Sequence, residues 1–245
     1  MDRIRLAGIS KRYSRLQGPK LLAYLGGRFF FREDPWFWSL QDVHLTLERG
    51  DSLGVVGSNG SGKTTLLRII AGVTTPTLGT ATIDGKVVSL LELFASMQGE
   101  LSGRENIRFN GTILGMRRRE IDRKFDEIVE FAGIGDFLDM PVKHYSSGMI
   151  MRLGFSVAIH TDSDIVLVDE AWSVGDADFQ AKSFKRLEDL HRKGVTLILV
   201  SHDTSVLQKL TTKTLWLNKG HVEKFGESHE VISAYLSSAP GNRKS

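Results

Sequence analysis

The chain has 245 residues, of which 41% are apolar and 25% charged, with a formal net charge of +3. That length suits one large α/β domain or two small ones, and the composition is ordinary for a soluble globular protein. The modest charge gives no nucleic-acid reading by itself, and the lack of cysteine excludes a disulfide framework and thiolate chemistry.

In chain order, residues 4–9 predict a first strand, and the opening Met1-Asp2-Arg3-Ile4-Arg5 lacks the apolar core of a signal peptide. Residues 14–38 then break the pattern. They carry Gly18-Pro19, an amphipathic run at 21–25, and the aromatic clusters Phe29-Phe30-Phe31 and Trp36-Phe37-Trp38. The apolar stretch 21–31 is too short to span a bilayer and contains Arg28. Residues 43–47 alternate as a half-buried strand, and 53–56 form a buried strand feeding a glycine-rich turn.

That turn, Gly57-Ser58-Asn59-Gly60-Ser61-Gly62-Lys63-Thr64, is a complete phosphate-binding loop followed by a helix over 63–71. Its glycines free the backbone so that N–H groups point inward at phosphate oxygens, and the helix start adds its positive dipole end. Lys63 brings a point charge to the β- and γ-phosphates, Thr64 offers a hydroxyl to Mg²⁺, and Thr65 completes the loop. Further strands are predicted over 80–93, with Asp84-Gly85 as a hairpin turn.

The middle reads as helical, over 103–115, 118–132 and 147–160, and so as a helical subdomain (about 95–160) inserted into an α/β core. The arginine run 117–119 predicts a solvated face, with an approach to anionic headgroups or an acidic partner as the alternative. An apolar strand over 165–168 ends in Asp169-Glu170. Asp169 fits a second Mg²⁺-anchoring group, and Glu170 a general base that polarises the attacking water. Helix 178–192, strand 195–200 and helix 204–210 follow, with His202 placed after the strand to reach the γ-phosphate. Short strands at 214–217 and 221–225 precede a last helix at 230–236, and the tail 238–245 is expected to be disordered.

Between loop and acidic strand lies Tyr145-Ser146-Ser147-Gly148-Met149, a Ser-x-Gly turn opening a helix. With these three motifs in this order, the chain resembles the nucleotide-binding subunit of an ABC transporter over about residues 1–237. The resemblance implies an α/β fold: a P-loop core of mixed sheet and flanking helices, with an antiparallel β part and the inserted helical subdomain. It implies ATP and Mg²⁺ as cofactors, Tyr13 stacked on adenine, and Asp176 in a loop that crosses a dimer interface. It also implies a homodimer in which Ser146 and the N–H groups of Ser147 and Gly148 close over ATP held by the other copy's loop. The Mg²⁺- and water-contacting glutamine of the family falls near Leu90-Leu91-Glu92-Leu93, leaving Glu92 as the nearest equivalent and Gln98 as its rival.

The departures narrow the resemblance. Ser147 and Met149 stand where glycine and glutamine are usual, and the loop after Glu170 reads Ala171-Trp172-Ser173-Val174-Gly175-Asp176. With the segment Glu100 to Asn106, these features are similar to the ATPases of polysaccharide exporters that move O-antigen, capsule, galactan or teichoic acid chains. That implies an integral membrane permease dimer as partner and a lipid-linked polysaccharide as cargo. It also implies a peripheral place on the cytoplasmic face of the inner membrane, without nucleic acid. Residues 21–31 would be a membrane-proximal or polymer-guiding element, or a helix covering the core, while Trp36, Phe37 and Trp38 are expected to pack on the sheet, with stacking on sugar rings as the alternative. Some members carry a C-terminal β-domain that recognises the polymer end. Because the chain stops at Ser245, the export signal is expected elsewhere or export to be coupled to synthesis. The alternatives are an ABC ATPase for another substrate, a soluble ABC ATPase, a P-loop kinase or GTPase switch, and a non-enzymatic binding module.

Overall fold

The computed structural model describes residues 2–14, 36–90, 96–169, 176–201 and 203–238. The segment 15–35, which holds most of the expected insertion, and the tail beyond 238 lie outside the described residues. In chain order the elements are β1 (Asp2–Ser14), β2 (Trp36–Glu48), β3 (Ser52–Val56), α1 (Lys63–Ile70), β4 (Leu78–Ile83) and β5 (Val87–Ser89). Then come α2 (Gly103–Ile113), α3 (Arg118–Ala132), α4 (Ser147–Ile159), β6 (Ile165–Val168) and α5 (Ala177–Arg192). The chain closes with β7 (Thr196–Val200), α6 (Thr204–Leu210), β8 (Lys213–Asn218), β9 (His221–Glu227) and α7 (Ser228–Ser238).

The strands form two sheets. An antiparallel sheet has the order β2-β1-β4, and a six-stranded sheet runs β5-β6-β7-β3-β8-β9. The second is parallel except for β9, which pairs antiparallel with β8. All residues of β3, β6 and β7 are buried, as expected of strands with parallel neighbours on both edges and helices on their faces. Helix α1 sits where the sheets meet, and Leu66, Leu67 and Ile70 share one core with Ile4, Leu6 and Leu47 of the antiparallel sheet and Leu53 and Val55 of β3. The other face of the large sheet buries Val166, Val168, Leu197 and Leu199 against Phe155, Phe179, Leu207 and Ile232. The α/β class with an antiparallel part is thus present.

Helices α2, α3 and α4 build a separate core from Ile107, Ile121, Phe125, Ile128, Leu138 and Leu153. Their ends are specified locally. Ser102 and Glu105 form a reciprocal capping box on α2, and Gly133 ends α3 at φ 63°, a left-handed conformation that favours glycine.

Two expectations fail. Asp84-Gly85 is not a hairpin turn: β4 pairs with β1 and β5 pairs in parallel with β6, so the dipeptide carries the chain from one sheet to the other. Arg3 fixes that crossover, donating to Asp84 O at 2.6 Å and lying 3.3 Å from Asp164. Two short apolar runs about a Gly turn look the same in sequence whether their partner is each other or a strand some 80 residues away. The aromatic triplet does not pack into the sheet either, since Trp36, Phe37 and Trp38 are 44%, 40% and 39% exposed. Strand β1 continues to Ser14, so its far end and Trp36 to Trp38 pair with each other, and Arg12 stacks on Trp36 at 4.8 Å.

Candidate functional site

Strand β3 lies between β7 and β8, and the chain leaves its C-terminal end into the loop 57–62 and then α1. Backbone geometry requires glycine at two positions of the loop. Gly62 is the N-cap of α1 at φ 109°, and an added Cβ there would lie 2.5 Å from Ser39 O and 2.7 Å from Leu40. Gly57, at φ 151°, would drive a Cβ into the carbonyl of Leu217. The loop is therefore pressed against β2 on one side and β8 on the other, which fixes its shape.

Lys63 is 9% exposed, and its Nζ donates to Gly57 O at 2.8 Å and Ser58 O at 3.1 Å. This places the ammonium inside the curl of the loop, where a charge is poorly screened and acts strongly on any anion that enters. Ser61 is buried at 1% exposure, with its Oγ unpartnered among the described residues. Ser39 Oγ and Thr65 Oγ1 share a hydrogen bond of 2.8 Å, tying β2 to the first turn of α1.

Above the loop opens a cleft of about 350 Å³, within the range of small-molecule sites. It is lined by Asn59, Gly60, Gly62, Lys63, Thr64 and Thr65, by Asp169 at the end of β6, and by Phe37 and Ser39 of β2. Strands β6 and β7 are in register with β3 so that Val168, Leu199 and Gly54 stand level, and the residues following β3 and β6 emerge at the same edge of the sheet. Loop, Thr64 and Asp169, predicted separately, are thus brought together. Thr64 and Asp169 offer one hydroxyl and one carboxylate oxygen to the cleft. This hard-oxygen set with few protein ligands suits Mg²⁺, which keeps most of its coordination for water and phosphate. Among the described residues there is no group of three or more His, Asp or Glu able to hold a metal alone.

Phe37 and Ser39 were not expected here. Phe37 pairs with Tyr13 across the β1–β2 ribbon, their rings 5.8 Å apart, with Lys11 Nζ 5.3 Å from the Tyr13 ring. Tyr13 is therefore beside the cleft and behind Phe37, not among the residues that line it. The one sequence signal for Phe37 was period-two spacing: it shares a strand face with Ser39, while Trp36 and Trp38 take the other.

The remaining candidates lie elsewhere. Ser146 is the N-cap of α4 and accepts the Met149 N–H at 3.2 Å, leaving Ser146 and Ser147 exposed and Gly148 half-buried. None of residues 145–149 lines the cleft. Tyr145 anchors this turn, 7% exposed and donating to Phe137 O at 2.7 Å, and burial raises its phenol pKa above the ordinary value. Asp176 caps α5 by accepting the Phe179 N–H at 2.8 Å and lies 3.4 Å from Arg152 of α4. Gln98 spends its side-chain amide on Ser96 O at 3.1 Å and is absent from the cleft wall. Glu92, Glu170 and His202 lie outside the described residues.

The geometry can hold a polyphosphate on backbone N–H groups and Lys63, with an oxygen-liganded cation beside it. The comparisons agree with it. The ABC transporter family model matches residues 40–173, from within β2 past the acidic strand. The ABC transporter protein AbcA of Aeromonas salmonicida is 49% identical over 199 residues, covering 81% of this chain and 65% of the relative. The O-antigen export system ATP-binding protein RfbB of Myxococcus xanthus is 42% identical over 216 residues, covering 88% of this chain and 49% of the relative. The chain thus spans about two thirds of one and half of the other. An ATP-binding cassette solved as a dimer in a post-hydrolysis state with ADP and Pi shares the fold at a TM-score of 0.75, with 22% identity over 92% of this chain and 98% of that one. On the loop, the acidic strand, the helix-start turn and these matches together, the chain belongs to the ABC transporter family.

Proposed function

We propose that this chain is the ATP-hydrolysing motor subunit of an ABC transporter that exports a lipid-linked polysaccharide, of O-antigen, capsule, galactan or teichoic acid type, across the cytoplasmic membrane. The observation that carries the motor reading is the division of the site. The cleft gathers Lys63, Thr64 and Asp169, while the start of α4 at Ser146 to Gly148 stands apart, with Ser146 and Ser147 exposed and the first-turn N–H groups outside the helix's own ladder. A second copy placed head to tail completes each site with the first copy's helix start, so two chains hold two ATP molecules. The polysaccharide class rests on Tyr145 to Met149 and the segment after Glu170, and is supported by the O-antigen exporter name of a relative 42% identical over 216 residues.

In this reading the loop N–H groups and Lys63 bind the β- and γ-phosphates, and Thr64 and Asp169 hold the cation. Bound Mg²⁺ supplies neutralisation of the charge that develops on the phosphates. Glu170 orients water and takes its proton, His202 contacts the γ-phosphate, and Glu92 or Gln98 completes the water and metal contacts. Tyr13, with Phe37 in front of it, receives the adenine ring. Closure of the dimer moves the helical subdomain against a membrane-embedded permease dimer, at the cytoplasmic face of the membrane.

The direct experiment is phosphate release from Mg-ATP by the full chain and by Lys63→Ala. The expected result is measurable turnover in the parent and loss of at least about a hundredfold in the variant. Equal turnover in both would remove the cleft from the reaction.

A further inference from the structure

The arginine run 117–119 takes no part in the cleft, and the fold gives it company. Arg117 is the N-cap of α3 and Arg118 and Arg119 stand in its first turn, all three exposed. Among the described residues neither Arg117 nor Arg119 has a side-chain hydrogen bond or ion pair. Arg118 has 95% of its side chain exposed and stands 3.9 Å from Asp122, which Arg108 of α2 also approaches at 3.9 Å. One carboxylate at the outer limit of ion pairing is thus shared by two guanidiniums, and the nearby Glu120 is taken by Lys124 at 3.1 Å. On α2, next in sequence to Arg108 and Thr112, which line a crevice with Arg118, Phe109 and Ile113 stand one turn apart and are 39% and 56% exposed.

We propose that this corner of the helical subdomain, the end of α2 and the start of α3, docks directly on an anionic membrane surface. The guanidiniums meet headgroup phosphates, while Phe109 and Ile113 enter the interfacial layer. Charge complementarity identifies the occupant as anionic, and the way the arginines are held identifies it as a surface. Arg104, three turns along the same helix pair, is gripped by Asp139 at 2.8 Å and stacked on Phe125 at 5.3 Å. Arg117, Arg118 and Arg119 are held by nothing comparable, which suits a diffuse field of phosphates better than one stereospecific acidic partner. Cations flanking exposed large apolar side chains are also the composition of an interfacial element. This goes beyond the function proposed above, because contact with lipid is direct and needs no membrane partner. Vesicle binding requires no nucleotide, so the two readings fail separately.

The test is co-sedimentation of the full chain with vesicles of phosphatidylglycerol and phosphatidylcholine, against phosphatidylcholine alone. Binding is expected only to the anionic vesicles and falls as salt is added. Each exposed arginine is worth about fivefold in partition, so the triple variant R117A/R118A/R119A binds roughly a hundredfold more weakly. The Phe109→Ser/Ile113→Ser pair is expected to bind roughly tenfold more weakly. The triple lysine variant keeps the charge without the fork and is expected to bind within about threefold of the parent. Equal binding to neutral vesicles, or no loss in the alanine variant, overturns the proposal. So does loss of binding in the lysine variant, which would point to a stereospecific phosphate pocket. Displacement by polyglutamate at the same charge concentration would assign the patch to an acidic protein and overturn it as well. All five positions are exposed, and circular dichroism of each variant checks that the fold is kept.

Discussion

Replacing Asn106 by alanine tests why the segment from Glu100 to Asn106 has the residues it has. Asn106 is fully buried on α2. Its Nδ2, with two N–H bonds to share among them, lies within hydrogen-bonding distance of the carbonyls of Gln98 at 3.0 Å, Leu101 at 3.1 Å and Ser102 at 3.0 Å, and its Oδ1 accepts the Gln98 N–H at 2.9 Å. The carbonyls keep other donors, namely the N–H groups of Leu101, Val142 and Asn106 itself. The loss therefore centres on the Gln98 N–H and on the cavity left behind. An unpaired donor costs about 1–3 kcal/mol and the missing side-chain volume about 1 kcal/mol, while alanine regains about 0.5 kcal/mol of helix propensity. The net is a destabilisation of about 1.5–3.5 kcal/mol, or a fall in Tm of roughly 3–14 °C for a chain of this size. Equilibrium urea unfolding followed by circular dichroism reads it directly. A change below about 0.5 kcal/mol, the size expected of an exposed substitution, would refute the view that this asparagine clamps the loop 96–102 onto α2.

Two further expectations follow from buried polar groups. Tyr145→Phe removes the hydroxyl that donates to Phe137 O at 2.7 Å. Phe137 O still receives the Met140 N–H. A loss of about 1 kcal/mol in urea unfolding is expected, with ATP affinity unchanged in equilibrium dialysis, because the ring anchors the turn and does not reach the cleft. His160 gives the pH dependence. Burial holds its pKa below the ordinary histidine value, and its Nδ1 is already engaged with Ser156 O at 2.7 Å. The unfolded chain therefore binds this proton more readily than the folded one. Stability is fully present above the ordinary value of about 6.5 and is lost as pH falls from there toward the folded pKa. Urea midpoints should fall with pH across that range in the parent and fall less steeply in His160→Gln, and the same slope in both would exclude the histidine as the source.

How much of this was legible in the sequence depends on how local each cause is. The phosphate-binding loop, the helix-opening turn at Ser146 and the three helices of the subdomain are written in neighbouring residues, and they were readable. The end of β1 was not, because apolar alternation stops after Ile9 while pairing with Trp36 to Trp38 carries the strand on to Ser14. The same pairing sets Phe37 beside Tyr13 at the cleft, and only its period-two spacing with Ser39 hinted at that place. Asp84-Gly85 misled because turn chemistry says that the chain bends, not which sheet it enters next. The segment Glu100 to Asn106 was read as a family mark, and its residues prove to be structural. Ser102 and Glu105 cap α2, Arg104 pairs with Asp139, Glu100 pairs with Lys143 at 2.6 Å, and Asn106 clamps the loop.

The central claim is that one chain's cleft and another chain's Ser146 to Gly148 form a single ATP site. The measurement that meets it most directly is size-exclusion chromatography of Glu170→Gln with and without Mg-ATP. With hydrolysis blocked, the account predicts a monomer that becomes a dimer only when Mg-ATP is added, and that stays monomeric when Ser146→Arg is introduced as well. A monomer under both conditions, or an ATP-dependent dimer that ignores Ser146→Arg, would contradict it.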